Sequence, residues 1–271
     1  MKLKVEEYYD KMAKLYDELY NTPYWRLYEE VEWQILRKHI SPLGKGAKVL
    51  DAGGGTGRLT VPLAKMGYYV ILLDISVCML NVALEKIKNE DLDVHVDVLK
   101  GDIRYLDMFN DETFDLVLAL GDPLSYCTDY ERALKELSRV TKLKGKVIIS
   151  VDNRLSIIRR ILERASPEES IENILRRMNK ALKILEKGDF EREYPIHAFT
   201  PDELRSLFEK CGLRIVEIAG LLSFIDLLPP SIRDKVIEER KENILKIVLK
   251  EYKNETLLWS AGHILVVGVK E

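Results

Sequence analysis

The chemistry of this chain is concentrated where a strand meets a run of glycines. Val49-Leu50-Asp51-Ala52 reads as a short buried strand and passes directly into Gly53-Gly54-Gly55-Thr56-Gly57-Arg58. Glycines at such a junction allow positive φ and let a ligand lie against the main chain, facing the amides of the helix that follows. Two nucleotide fingerprints fail the count. GxGxxG read from Gly53 would need glycine where Arg58 stands, and no GK[ST] follows as a P-loop requires. What remains is D-x-G-x-G-x-G, joined by Asp74 at the end of the next apolar run, 21 residues after Gly53, and by Asp102 after the third run. A carboxylate at a strand end accepts two hydrogen bonds at once, which suits the hydroxyls or amines of a bound molecule.

These residues need strands to hold them at one edge of a sheet. Short apolar runs at 47–52, 69–74, 93–99, 114–120 and 146–151 predict strands, and helix-period segments at 57–66, 76–89 and 129–142 lie between them. This alternation predicts an α/β fold with a mostly parallel sheet covered on both faces. Beyond Val151 the spacing is helical over 152–187 with Pro167 as a break, and strand signals return at 214–219 and 263–269. A helix over 201–211 has clear ends: Thr200 as N-cap, Pro201 and two acids in its first turn, and Gly212 beyond its end. Another helix is expected over about 231–253, after Pro229-Pro230. The division expected is an N-terminal helical lid at 1–40, a core formed by 41–151, 196–220 and 259–271, and cap insertions at 152–195 and 221–258.

Composition narrows the class. Of 271 residues, 46% are hydrophobic and 32% charged, which excludes a disordered, collagenous or coiled-coil chain. With 42 Lys and Arg against 45 Asp and Glu, the net charge of −3 gives no global attraction to nucleic acid or anionic lipid. The N-terminus, MKLKVEEYYD, has acids where a signal peptide is apolar, and the apolar stretch 212–229 is broken by Arg214, Glu217 and Asp226, so neither secretion by that route nor a membrane span is expected. Cys78, Cys127 and Cys211 are scattered with no CxxC pair, so no disulfide framework and no metal site are expected, and a reducing cytoplasm fits. A single glutamine, Gln34, amid abundant Glu, Lys and Ile suggests a thermophilic source.

Taken with Leu73-Asp74-Ile75-Ser76 and Met79-Leu80, the glycine motif resembles that of class I S-adenosylmethionine-dependent methyltransferases over about 40–151, including the quinone-biosynthesis group. The resemblance implies a doubly wound, Rossmann-like sheet of seven strands and S-adenosylmethionine as cofactor. It places Gly53 and Gly55 beside the cofactor's amino-acid moiety, Asp51 near its ammonium, Asp74 on both ribose hydroxyls and Asp102 on the adenine amine. Ile75 and Ile103 would pack on the ring, with Ala52 and Leu120 completing the contacts. Tyr9 through Asp17 is similar to the helix that lids the cofactor in this family, and Tyr16 is the phenol expected to reach it; six of the 13 tyrosines fall in the first 28 residues.

The acceptor side is expected after the fourth strand, at Leu120-Gly121-Asp122-Pro123-Leu124-Ser125-Tyr126. Related enzymes acting on exocyclic amines carry [D/N/S]-P-P-[aromatic] here. Asp122-Pro123 matches, Leu124 replaces the second proline and the aromatic comes one residue late. Asp122 would receive the amine and Tyr126 would stack on or orient it. Residues 154–187 carry nine basic side chains against five acids, which suits either a phosphate backbone or a solvated helix face. The stretch 221–228 suits a hydrophobic acceptor pocket, a subunit contact or a buried cap segment. His197 sits where the first insertion rejoins the core, whereas His39, His95 and His263 fall in helix or strand patterns without functional signal.

The leading expectation is methylation of an amine nitrogen, such as the exocyclic amine of cytosine in RNA. The alternative is a small-molecule carbon or oxygen acceptor of the quinone-biosynthesis type, and a third reading is a cofactor-binding protein without catalysis.

Overall fold

A computed structural model describes residues 4–271 apart from 167 and 192, and only the backbone of Glu191. The expected break at Pro167 lies outside the described residues. Its core is one sheet of seven strands ordered β3-β2-β1-β4-β5-β9-β8. The strands are β1 (Lys48–Ala52), β2 (Tyr69–Asp74), β3 (Val96–Lys100), β4 (Phe114–Ala119), β5 (Thr141–Asp152), β8 (Leu213–Leu221) and β9 (His263–Lys270). The first five run parallel, and β9 enters antiparallel between β5 and β8. The central strands are buried on both faces, which is why β4 and β9 read as nearly continuous apolar runs.

The two faces alternate strictly. On one, Val49, Val70, Leu72, Leu118, Ile148, Leu265 and Val267 pack under α2 (Pro23–Ile40), α3 (Thr60–Lys65) and α4 (Val77–Asn89). On the other, Leu50, Leu73, Val117, Ile149 and Val266 pack under α5 (Tyr130–Val140) and α8 (Pro201–Lys210). A one-residue slip of any strand would exchange these sets, so the pattern fixes the register.

Helix ends follow local chemistry. Thr22 accepts from the Trp25 amide at 3.3 Å with Pro23 at the first turn of α2. Thr200 and Glu203 form a reciprocal capping box at α8. Such caps contribute about 1 kcal/mol each.

The apolar residues of the two insertions join different clusters, while Asn153 Nδ2 donates to the Leu258 carbonyl at 2.8 Å between them. In the first, α6 (Arg154–Leu162), α7 (Ile171–Lys187) and the hairpin of β6 (Asp189–Glu191) and β7 (Pro195–His197) build a small cluster of Ile157, Ile158, Ala181, Ile184, Phe190 and Ile196. Tyr8 and Tyr9 of α1 (Val5–Met12) and Tyr126 pack against it. In the second, α9 (Pro230–Glu251) and the short α10 (Glu255–Leu258) follow β8, and α9 buries Ile237, Ile244 and Val248 in the large core beside α2. Both insertions leave the sheet at the carboxyl ends of strands, the first after β5 and the second after β8. No helix among the described residues is long and apolar enough to cross a membrane.

Candidate active site

The glycine loop leaves β1 at Ala52 and needs glycine at two points. Gly53 has φ +80°, and a Cβ there would lie 2.8 Å from Pro123 Cβ; Gly55 has φ +54°, with Met79 Cε 3.0 Å from the same position. The loop is fastened to β2: the Gly53 amide donates to the Leu73 carbonyl at 2.7 Å and the Gly55 amide to Asp74 Oδ2 at 2.9 Å. Above it lies a cavity of about 450 Å³ at the carboxyl ends of β1, β2 and β4, where a doubly wound sheet offers a crevice.

Tyr16, Asp51, Gly53, Gly55, Asp74, Ile75, Asp102, Ile103, Leu120 and Tyr126 all line that cavity. Ala52 and Asp122 do not. Ala52 is buried in the core under the loop, and Asp122 stands one residue behind the wall formed by Gly121 and Pro123.

Asp51 receives the Thr60 hydroxyl at 2.6 Å, and burial pushes its carboxyl up to about 6 against that bond. Burial also raises Asp74, although the Ser76 amide, 2.8 Å from Oδ1, and the Gly55 amide favour its ionised form. Asp102 is half-buried, which acts upward, but the Arg104 guanidinium on both its oxygens holds it below the usual carboxylate range.

Three acids hold the N-terminal segment to the core, Glu6 pairing with Lys100 of β3 at 2.8 Å. Asp10 of α1 accepts from Ser76 Oγ at 2.6 Å and the Cys78 amide at 3.1 Å, at the start of α4. Asp17, in the 3-10 turn Tyr16–Asn21, accepts from Thr56 Oγ1 at 2.7 Å and pairs with Lys86 at 2.5 Å. The Tyr-Asp steps at 9–10 and 16–17 thus bring a ring over the cavity beside a carboxylate tied to the core. Arg58, which spoils the dinucleotide fingerprint, lines the cavity, stacks 4.7 Å from the Tyr20 ring and pairs with Glu29 and the fully buried Glu32 of α2. Its place directly after the glycines was the available signal.

Tyr9, Tyr16 and Tyr126 line the cavity together with Gly121, Pro123 and Pro195. Burial raises all three phenols well above their ordinary value, so they remain protonated near neutral pH and serve as hydrogen-bond donors. The Tyr9 ring is 6.1 Å from Tyr126, and Tyr126 is 5.4 Å from Tyr194.

Other sequence candidates lie elsewhere. His197 bridges Asp189 at 2.7 Å and Glu203 at 2.9 Å beneath the Tyr130 ring, pinning the cap to α8. In the stretch 221–228, Leu221, Leu222 and Ile225 join the large core while Phe224 and Leu227 are exposed. Of the basic run, Arg154 is buried against Glu203 and the Ala198 carbonyl, and Arg159 and Arg177 pair with Glu163 and Glu169. Arg176, Lys180, Lys183 and Lys187 are exposed on α7.

The cavity fits S-adenosylmethionine by its donor set: a buried acid beside the glycine loop, a second ending β2 and a third after β3, each next to apolar wall. The comparisons with known proteins agree. Residues 49–145 match the family described as Methyltransferase domain. A protein of Methanocaldococcus jannaschii is 34% identical over 56% of this chain and 53% of its own length. The ubiquinone/menaquinone biosynthesis C-methyltransferase of Idiomarina loihiensis is 36% identical over 43% of this chain and 47% of its own. The chain thus spans about half the length of these curated relatives. Among solved structures, a chain of the complex between the Haloferax volcanii Trm112 methyltransferase activator and a methyltransferase superposes with TM-score 0.60 at 20% identity, covering 96% of both chains. Geranyl diphosphate C-methyltransferase of Streptomyces coelicolor gives 0.58 at 15% identity, covering 90% of this chain and 79% of that one. A strand-loop-helix motif, three acids at strand ends and a matching family model together place a methyltransferase domain at residues 49–145 of this chain.

Proposed function

We propose that the chain methylates a small carbon or oxygen acceptor held between Tyr9, Tyr16 and Tyr126. The observation that carries this reading is the aromatic wall beside Gly121 and Pro123: Tyr9, Tyr16 and Tyr126 line the same cavity, and Tyr8 and Tyr126 lie 4.9 and 5.4 Å from Tyr194. Such a compartment suits a compact apolar acceptor with one or two oxygens better than a base carried on a polymer. None of the nine basic residues of 154–187 lines the cavity, which weakens the expectation of an RNA amine. The relatives named for ubiquinone and menaquinone biosynthesis favour the same class.

When bound, S-adenosylmethionine supplies an electrophilic methyl group on a sulfonium. The chain's own tasks are then to align a nucleophile and exclude water. Asp74 would hold the ribose hydroxyls, Asp51 would face the ammonium, and Asp102 with Ile75 and Ile103 would take the adenine. Gly53, Gly55, Leu120 and Tyr16 close on the remainder. The protonated Tyr126 and Tyr9 donate to an acceptor oxygen and fix its orientation. A carbon or oxygen acid must also lose a proton, and the buried charged groups behind this wall are Asp122 and His263.

The test is to incubate the protein with methyl-labelled S-adenosylmethionine and fractionated cell extract. Label in small organic-extractable material is the expected result. Acid-precipitable, RNase-sensitive label would sink this reading and restore Asp122-Pro123 as an amine-binding motif.

A further inference from the structure

Behind the acceptor wall, three strands deliver ligand atoms to one point. Asp122 follows β4, Asp152 ends β5, and His263 opens β9 directly opposite Asp152 in the antiparallel register. Their ligand atoms all lie within 4.8 Å of one another, and the three residues are 3%, 3% and 6% exposed. Charged and polar groups so deeply buried need partners. Yet Asp122 Oδ1 and His263 Nδ1 have no hydrogen-bond partner. His263 Nδ1 approaches Asp122 Oδ2 to 2.7 Å but is not aligned to donate to it.

We propose that Asp122, Asp152 and His263 form a binding site for one first-row divalent cation. Two ligand atoms in adjacent positions on an ion with bonds of about 2.1 Å lie roughly 3 Å apart, and those in opposite positions roughly 4.2 Å. The Nδ1–Oδ2 approach of 2.7 Å, with all three ligand atoms within 4.8 Å of one another, falls within reach of these spacings. Two carboxylates and an imidazole form a mixed oxygen-nitrogen set, which suits manganese, iron or zinc rather than an all-oxygen calcium site.

The backbone supports the placement. Gly121 and Asp122 both have positive φ, +82° and +67°, and their amides converge on Ser150 Oγ at 2.9 and 3.2 Å. Aspartate in a left-handed conformation is uncommon, and here it turns the carboxylate inward, toward β9. The Asp152 amide is fixed by Ser125 Oγ at 2.9 Å. The Trp25 and Tyr28 rings lie 5.8 and 5.3 Å from the His263 ring and keep it from turning away. The site is one residue behind Gly121 and Pro123, so a bound cation would place positive charge beside the acceptor compartment.

The test is to titrate Mn²⁺ into metal-stripped protein and follow loss of the free-ion electron paramagnetic resonance signal. One Mn²⁺ per chain is expected, with affinity reduced at least about tenfold in both Asp152→Asn and His263→Ala. Binding of S-adenosylhomocysteine, measured on the same variants, should persist, because neither residue lines its cavity; this separates failure of the metal site from failure of the methyltransferase reading. Wild-type protein gives a check that needs no variant: Mn²⁺ should broaden the indole N–H resonance of Trp25 before those of Trp33 and Trp259. If a proton on His263 is the cation these carboxylates hold, free Mn²⁺ is not depleted and the proposal is overturned. Equal affinity in wild type and both variants, or uniform broadening of the three indoles, overturns it as well.

Discussion

If Asp51 faces the cofactor's ammonium as proposed, it links binding to pH. It is an acid whose carboxyl rises to about 6 in the fold from 3.8. Its protonated form therefore adds stability that is fully present below about pH 3.8 and lost as pH climbs through about 6. An ammonium placed beside it favours the ionised form, so binding near pH 6 should release a proton. The expected result in calorimetry is an S-adenosylhomocysteine Kd constant above pH 7 and rising toward tenfold per unit below 6, with Asp51→Asn flat across the range. A flat wild-type profile would remove Asp51 from the ammonium. Asp51, Asp74 and Asp102 were legible in the sequence because each sits beside a local motif. His263 was not. It carries no neighbouring signal, and only the pairing of β5 with β9 brings it opposite Asp152, 111 positions earlier in the chain. Arg58 was visible, but its partner Glu32 lies 26 residues away on a helix whose inner face no local pattern assigns to the loop.

At the scale of elements, the strands were the most legible part, since buried parallel strands advertise themselves as unbroken apolar runs. β2 spans the expected 69–74, and β4 departs from 114–120 by one residue. The third run slips from 93–99 to Val96–Lys100 because β3 is an edge strand with exposed positions, where apolar alternation is weak. The β6–β7 hairpin carried too few residues to show a period. The lid illustrates what elements add to residues. α1 and the following turn bury no residue of their own, so apart from their rings they are held through Glu6, Asp10 and Asp17. Asp17→Asn should cost less than about 1 kcal/mol of global stability, the scale of an exposed pair, yet speed release of S-adenosylhomocysteine several-fold in stopped-flow experiments. Unchanged release would mean that the turn is not what retains the cofactor.

For the whole molecule, the separate cluster of the first insertion implies separate stability. Few buried side chains hold α6, α7 and the β6–β7 hairpin, whereas β1, β4, β5 and β9 share the large cores on both faces. Native-state hydrogen exchange should therefore be slowest in those strands and faster by orders of magnitude in α7. S-adenosylhomocysteine should protect α1, Tyr16–Asn21 and the glycine loop but leave α9 unchanged. Equal protection of α9 would show that both insertions respond to the cofactor, as a single cap would. The sequence could announce two insertions but not that they part company, because which helix meets which face depends on strand order.

That order also sets a timetable for synthesis. β8 is an edge strand whose one neighbour in the sheet, β9, emerges only after α9 and α10, and β9 is wedged against β5. While the ribosome still holds residues 263–270, β5 and β8 both present unpaired backbone and apolar faces, with α9 already made and waiting for its seat. Such a nascent chain is a natural client for a chaperone, and arrest before residue 263 would yield a product prone to strand-to-strand association rather than a slightly weakened fold.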